Sequence, residues 1–337
     1  MEIRVQNNVE IIDWAVGDAP LSGTGLSGNG LAAAIGNFDG VHLGHQRVIA
    51  AASAAAKAAR LTPAVVTFNP HPREFFRQDD SPFRLTDRQE KDRLLVDQLG
   101  AVEPARVIHV RFDDRLRRTS APDFVTDVLN SLGVKQLFAG LDFAFGKDRS
   151  GDLDTINQVG QPLGISASSV ALLKDTNSAV YSSSRVRATL QAGAPDLAAT
   201  MLGRDWAVTG TVITGDARGR TIGFPTANIA LGTLQHPAFG VYAVEVDSDD
   251  RDERPRLIGN GVANIGVRPT VEDRGVLCEA HLFDQTLDLY GKRLRVRLKF
   301  FLRPERKFSA IEDLIKQIDL DAAAARQMLP KHAAGQS

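Results

Sequence analysis

The segment Gly36-Asn37-Phe38-Asp39-Gly40-Val41-His42-Leu43-Gly44-His45 combines residue types that suit phosphate chemistry. An apolar run at 31–35 reads as a buried strand. Gly36 and Gly40 break it, and an alanine-rich helix is expected from about 45 to 60. The first N–H groups of a helix lack intrahelical partners, and its dipole favours anions, so this turn is a candidate phosphate site. His42 and His45, spaced His-x-Gly-His, can donate hydrogen bonds to phosphate oxygens during a reaction.

Further polar groups fall just after expected strands or at helix starts. Asn69-Pro70-His71-Pro72 follows a strand at 64–68, and its two prolines stiffen the loop that carries Asn69 and His71. Asp142 lies in Gly140-Leu141-Asp142-Phe143-Ala144-Phe145-Gly146-Lys147 after another strand. That run is no P-loop: five residues separate its glycines, and Asp148 stands where Ser or Thr is needed. Ser182-Ser183-Ser184-Arg185-Val186-Arg187 opens a helix, where hydroxyls and arginines can hold a polyphosphate. In the second half, Gly215, Gly219, Arg220 and Gly223 precede Phe224-Pro225-Thr226-Ala227-Asn228. Glycines admit phosphates close to the backbone. Thr226 and Asn228 alternate along an extended segment and offer hard oxygen ligands suited to Mg²⁺. Glu279 sits in an otherwise apolar strand. Taken singly, each group has an ordinary structural explanation; their joint placement points to sites.

The elements that must position these groups change character along the chain. Residues 1–20 read as a leading strand and loop. Residues 21–30 form a glycine-serine insertion, whose Gly23-x-Gly25-x-x-Gly28 match precedes a strand and so is no dinucleotide fingerprint. From 31 to about 190, strands alternate with helices: strands at 31–35, 64–68, 105–110, 136–139 and 168–172, helices at 86–99, capped by Thr86, and 121–132. This rhythm predicts a doubly wound, mostly parallel sheet, with sites at the carboxyl ends of its strands. Residues 189–200, with Gly193, Ala194 and Pro195, read as a hinge. Short strands follow at 207–212, 241–246, 257–263, 277–283 and 294–302, then a helix at 311–328. They predict a small antiparallel β-barrel with a closing helix.

Composition narrows the function. The chain has 337 residues, 40 Lys plus Arg against 41 Asp plus Glu, and one cysteine, Cys278. Balanced charge argues against a nucleic-acid partner, and no apolar run is long enough for a membrane span. One cysteine excludes a disulfide framework and a multi-cysteine zinc site. A cytoplasmic protein is expected.

Segments 36–45, 69–72, 140–146 and 182–187 together resemble the FAD synthetase (FMN adenylyltransferase) module of the bacterial bifunctional riboflavin kinase/FAD synthetase family, a His-x-Gly-His nucleotidylyltransferase. Segments 215–228, 240–242, 261–270, 279–284, 290–291 and 301–303 resemble riboflavin kinase, in that order. The resemblance implies an adenylyltransferase domain at 1–190 and a kinase domain at 198–330, with riboflavin, FMN and ATP as substrates. It implies that Gly36, Phe38, Asp39, Gly40, His42, His45, Asn69, His71, Asp142, Ser183, Ser184 and Arg187 serve the adenylyl step. Gly215, Gly219, Arg220 and Gly223 would bind nucleotide at the kinase site. Thr226 and Asn228 would position Mg²⁺–ATP, Glu279 would be the base, and Arg268 and Arg303 are candidates for the flavin. Ser184 stands where the family usually has threonine, and Val186 where it has isoleucine. Adenylylation of another phosphate by the first domain, or a regulator with degenerate sites, are the alternatives.

Overall fold

The computed structural model describes residues 1–21, 29–77, 82–100, 104–214, 224–249, 254–267, 275–285 and 287–330. Contacts divide the chain into two units: Met1–Asp80 with Arg88–Tyr181, and Ser81–Asp87 with Ser182–Ser337.

The first unit is a seven-stranded sheet in the order β1-β2-β5-β4-β3-β6-β7. Its strands are β1 (Glu2–Gln6), β2 (Val9–Trp14), β3 (Leu31–Ile35), β4 (Thr62–Asn69), β5 (Ala105–Arg111), β6 (Val134–Gly140) and β7 (Ser166–Val170). All neighbours are parallel except β1 and β2. Every residue of β3 is buried, as a parallel strand covered on both faces requires. Its side chains alternate between two cores. Ala33 and Ile35 meet α4 (Asp114–Arg118), α5 (Ala121–Asp123), α6 (Asn130–Leu132) and α7 (Leu153–Gly160) through Leu116, Ala121, Leu132 and Ile156. Ala34 meets α1 (Leu43–Ala59) and α3 (Arg88–Leu99) through Ile49, Ala52, Leu95 and Leu99. The sheet is therefore doubly wound, as expected.

Several local expectations are corrected. The leading segment is a hairpin, turned by Asn7 and Asn8 at φ 48° and 63°, and β2 extends the sheet beside β5. Helix α1 starts at Leu43, because His42 caps it. Helix α3 starts at Arg88, so Thr86 is not its cap. The 121–132 helix widens into a π-turn over Phe124–Leu129 between α5 and α6. Strand β7 runs two residues earlier than expected. The 189–200 hinge is largely helical: α8 (Ser183–Gln191) is followed by α9 (Pro195–Leu202), because Pro195 suits a first helical position.

The second unit is a six-stranded antiparallel sheet in the order β8-β13-β10-β11-β12-β9. Its strands are β8 (Ala207–Thr211), β9 (Ala227–Ala230), β10 (Gly240–Ser248), β11 (Arg256–Val267), β12 (Val276–Leu282) and β13 (Arg293–Pro304). A bridge from Ile213 N–H to the Asn228 carbonyl, at 2.8 Å, joins its ends into a nearly closed barrel. Val244 and Val246 face Leu298 and Val296 across the β10/β13 ladder. On the other face of that ladder, Asp247 accepts from Arg295 at 3.0 Å and from Arg297 at 2.8 and 2.9 Å. Helix α10 (Ile311–Met328) packs Ala325 against Val241, Ala243 and Val262.

Ser81–Asp87 belongs to this second unit although it lies between α2 (Pro72–Phe76) and α3 of the first. Arg84 N–H donates to the Thr233 carbonyl, and Gln235 N–H donates to the Arg84 carbonyl at 2.7 Å. Trp206 Nε1 donates to the Leu85 carbonyl at 2.8 Å. Asp87 accepts from Thr209 Oγ1 at 2.8 Å and from Arg293. These bonds make the segment a strap across the barrel.

Candidate active sites

In the first unit, β4, β3 and β6 are parallel neighbours, so their carboxyl ends lie along one edge. Connections leave β3 toward β4 and return at β6 on its other side. That is the switch point where doubly wound sheets bind ligands. The 36–45 turn follows β3, Asn69 ends β4, and Asp142 follows β6 and is exposed. The turn is strained: Phe38 has φ 48°, Gly40 80° and Val41 41°. A β-branched residue at positive φ costs about 1–3 kcal/mol and persists only where surrounding contacts enforce it. Here Phe38 and Val41 are each 1% exposed, and Gly36 N–H donates to the Val66 carbonyl at 3.1 Å.

His42 ends the turn as the N-cap of α1. Its Nδ1 accepts from His45 N–H at 3.3 Å, which puts the proton of the neutral ring on Nε2. The His42 and His45 rings stack at 3.6 Å, 20° apart, and Phe38 meets His45 edge-on at 5.2 Å. His71 repeats the device at α2, accepting from Arg73 N–H at Nδ1, 3.1 Å. Both histidines therefore cap a helix through Nδ1 and carry their donor at Nε2. The Asn69–Pro70 peptide is cis. Asp39 is 4% exposed.

Ser183, Ser184 and Arg187 lie on α8, in the second unit. Ser182 caps this helix, accepting from Arg185 N–H at 3.3 Å. Arg187 Nε donates to the Phe83 carbonyl at 2.6 Å, and its guanidinium lies 5.3 Å from the Phe83 ring centre.

In the barrel, a cavity of about 280 Å³ opens where β8 and β12 end and β9 and β13 begin. Thr226 and Asn228 line it, with Pro225, Leu282, Gln285 and Tyr290. Glu279 does not line it; Ala280 and Leu282, on the opposite face of β12, do. Glu279 pairs directly with Asn228 on one side and with Asn264 on the other. Directly opposed residues stand about 5 Å apart at Cβ, so Glu279 is the cross-strand neighbour of a residue that lines the cavity. Cys278 is fully buried, and burial together with the Glu279 charge pushes its thiol pKa up, so it stays a thiol.

Arg303 is engaged structurally: Nε and Nη2 grip the Asp321 carboxylate of α10 at 2.9 and 2.7 Å. Gly215, Gly219, Arg220, Gly223 and Arg268 lie outside the described residues, as does 22–28 of the glycine-serine insertion. Among the described residues, no group of three or more His, Cys, Asp or Glu side chains could hold a metal, and no helix is long and apolar enough to cross a membrane. Sequence reasoning missed Asn264, Gln285 and Tyr290. Asn264 and Tyr290 stand in segments already compared with riboflavin kinase, but only strand pairing and loop closure reveal their places.

Comparison with known proteins follows the same division. The FAD synthetase family model matches residues 27–185, and the riboflavin kinase model matches 202–329. A bifunctional riboflavin kinase/FMN adenylyltransferase from Pseudomonas fluorescens is 40% identical over 89% of this chain and 93% of its own. The Escherichia coli K12 protein of the same description is 39% identical over 87% of this chain and 91% of its own. A solved structure from Streptococcus pneumoniae, described as a macrolide-efflux protein, is 26% identical with TM-score 0.76, covering 94% of this chain and 99% of that one. With both family models matched in order and this identity sustained over most of its length, the chain belongs to the bifunctional riboflavin kinase/FMN adenylyltransferase family.

Proposed function

We propose that the two reactions of this enzyme occur at the two clusters just described: FMN adenylylation at the 36–45 turn, and riboflavin phosphorylation at the barrel mouth. Adenylyl transfer is supported above all by the stacked His42–His45 pair at the N-terminus of α1, on the switch point of the sheet. The FMN phosphate, whose second pKa is about 6, is already largely dianionic at neutral pH and needs no strong base to attack the α-phosphate of ATP. Pyrophosphate leaves. The residues must align the phosphates and neutralise developing charge. His42 and His45 serve the transferring group, with Gly36, Phe38, Asp39 and Gly40 shaping the turn. Asn69, His71 and Asp142 border the site, and the family resemblance assigns Ser183, Ser184 and Arg187 to nucleotide binding in the same step. Ser184 keeps the hydroxyl that a threonine would supply.

In the barrel, the riboflavin 5′-hydroxyl attacks the γ-phosphate of ATP. A neutral alcohol must shed its proton, and Glu279 accepts it. Thr226 and Asn228 offer hard oxygens beside the cavity, a donor set that suits Mg²⁺ held mainly by phosphates and water. When bound, Mg²⁺ neutralises charge on the transferring phosphates. Gly215, Gly219, Arg220 and Gly223 complete the phosphate loop, and Arg268 and Arg303 border the flavin. The adenylyltransferase domain is assigned to 1–190 and the kinase domain to 198–330, in keeping with family matches ending at 185 and starting at 202. Use of ATP at both sites fits a cytoplasmic location.

Chromatography after incubation with riboflavin, ATP and Mg²⁺ tests the assignment. The native chain yields FAD. His45→Ala accumulates FMN, its adenylylation rate falling roughly 10²- to 10³-fold, as for loss of one preorganised donor. Glu279→Gln leaves riboflavin unchanged yet converts supplied FMN to FAD. If either substitution in a folded protein removes both activities, the two-site assignment fails.

A further inference from the structure

A lysine buried in the first unit reaches the 36–45 turn by way of a threonine hydroxyl. Lys91, on α3, is 7% exposed, and Thr67, on β4, is fully buried. Lys91 Nζ donates to Thr67 Oγ1 at 3.4 Å, and Thr67 Oγ1 donates to the Asn37 carbonyl at 3.2 Å. The chemistry of the groups fixes both directions. An ammonium has protons and no lone pair, so Thr67 accepts from it; the single hydroxyl proton is then committed to Asn37. Two successive residues of β4 thereby hold the turn, Val66 by the Gly36 N–H and Thr67 by the Asn37 carbonyl. The strained residues Phe38, Gly40 and Val41 follow immediately, and they need such external anchors. Burying an ammonium is costly, whereas Leu94 and Leu95 fill the core from the same helix without that cost.

We propose that Lys91 is a positioning residue for adenylyl transfer: it orients the Thr67 hydroxyl, and Thr67 fixes the turn that presents His42, His45 and the α1 N-terminus. This rests on the reading of that turn as the adenylyl site. Removing the ammonium frees the hydroxyl to rotate, and the turn loses one anchor while its residues remain in place. The alignment needed in the transition state then suffers more than ground-state binding.

The test is steady-state FMN adenylylation by the full chain carrying Lys91→Met, Thr67→Val, both, or Thr67→Ser, with riboflavin phosphorylation measured on each sample. Lys91→Met and Thr67→Val are each expected to lower the adenylylation kcat about tenfold or more, with KM for ATP changed by less than about threefold. The double variant should fall no further than the worse single variant, within about twofold, because both changes break one chain of bonds. Thr67→Ser keeps the hydroxyl and should keep kcat, and phosphorylation should stay unchanged throughout. An unchanged kcat in Lys91→Met, or losses that multiply in the double variant, would overturn the proposal. If Lys91→Met does not fold, Thr67→Val against Thr67→Ser decides: equal rates overturn the proposal, and a loss confined to valine supports it. His45→Ala in the same assay isolates the underlying reading, which fails if that variant still adenylylates at the native rate.

Discussion

Gly44 separates the paired histidines, and the space it leaves is specific. A Cβ there would stand 3.0 Å from both Nδ1 and Cε1 of His42, and 3.4 Å from the Tyr181 carbonyl. Gly44→Ala is therefore expected to push the His42 ring off His45 and lower FMN adenylylation about tenfold. The helix itself should gain slightly, since alanine outranks glycine within a helix by about 1 kcal/mol. A kcat measurement beside a thermal melt checks both halves; native activity in Gly44→Ala would show that the ring position is not critical. The histidine spacing was legible in the sequence because the motif is contiguous. The Asn228–Glu279–Asn264 row was not, because it forms only when three strands pair in register. Arg303 shows another limit: its motif marks it as a flavin candidate, but its grip on Asp321, eighteen residues away, appears only when β13 and α10 pack together.

Elements were legible where one period dominates. The uniformly apolar β3 and the alanine-rich α1 announce themselves. The β1/β2 hairpin did not, because its two strands of five and six residues meet at a two-asparagine turn. Nor did the strap, since nothing local marks Phe83 or Leu85 as belonging to a barrel formed later in the chain. Its bonds predict measurable effects. Trp206→Phe removes the N–H that satisfies the buried Leu85 carbonyl and should cost about 1–3 kcal/mol in urea denaturation. Asp321→Ala leaves Arg303 without its carboxylate and detaches α10 at one point. A loss of about 2 kcal/mol is expected, with adenylylation unchanged. No shift in the urea midpoint would show that solvent replaces the ion pair.

At the scale of the whole molecule, buried charge makes the first unit sensitive to acid. His109 Nε2 lies 2.6 Å from Asp92 Oδ1, and both residues are 1% exposed. Burial holds the His109 pKa below its usual value, and its Nδ1 has no hydrogen-bond partner among the described residues. The Asp92 pKa is also lowered: burial opposes this, but the His109 hydrogen bond and the charges of Arg88 and Arg4 outweigh it. Between the folded His109 pKa and its unfolded value of about 6.5, the unfolded chain binds the extra proton, so stability falls as pH drops below about 6.5. The Asp92 contribution, present above its unfolded value of about 3.9, is lost only as pH falls through its lower folded value. The chain has two tryptophans, Trp14 in the first unit and Trp206 in the second. In a Trp206→Phe background, Trp14 fluorescence should report a midpoint that falls from pH 7.5 to 5, and His109→Gln should flatten that dependence. A midpoint independent of pH would show that His109 is protonated equally in both states.

The strap also bears on how the polypeptide matures on the ribosome. Asp87 emerges 206 residues before Arg293, its ion-pair partner, and Leu85 precedes Trp206 by 121. The nascent N-terminal half must keep that stretch uncommitted until the last barrel strand leaves the exit tunnel. No single cut in the gene can separate the two halves without stranding a piece of one inside the other.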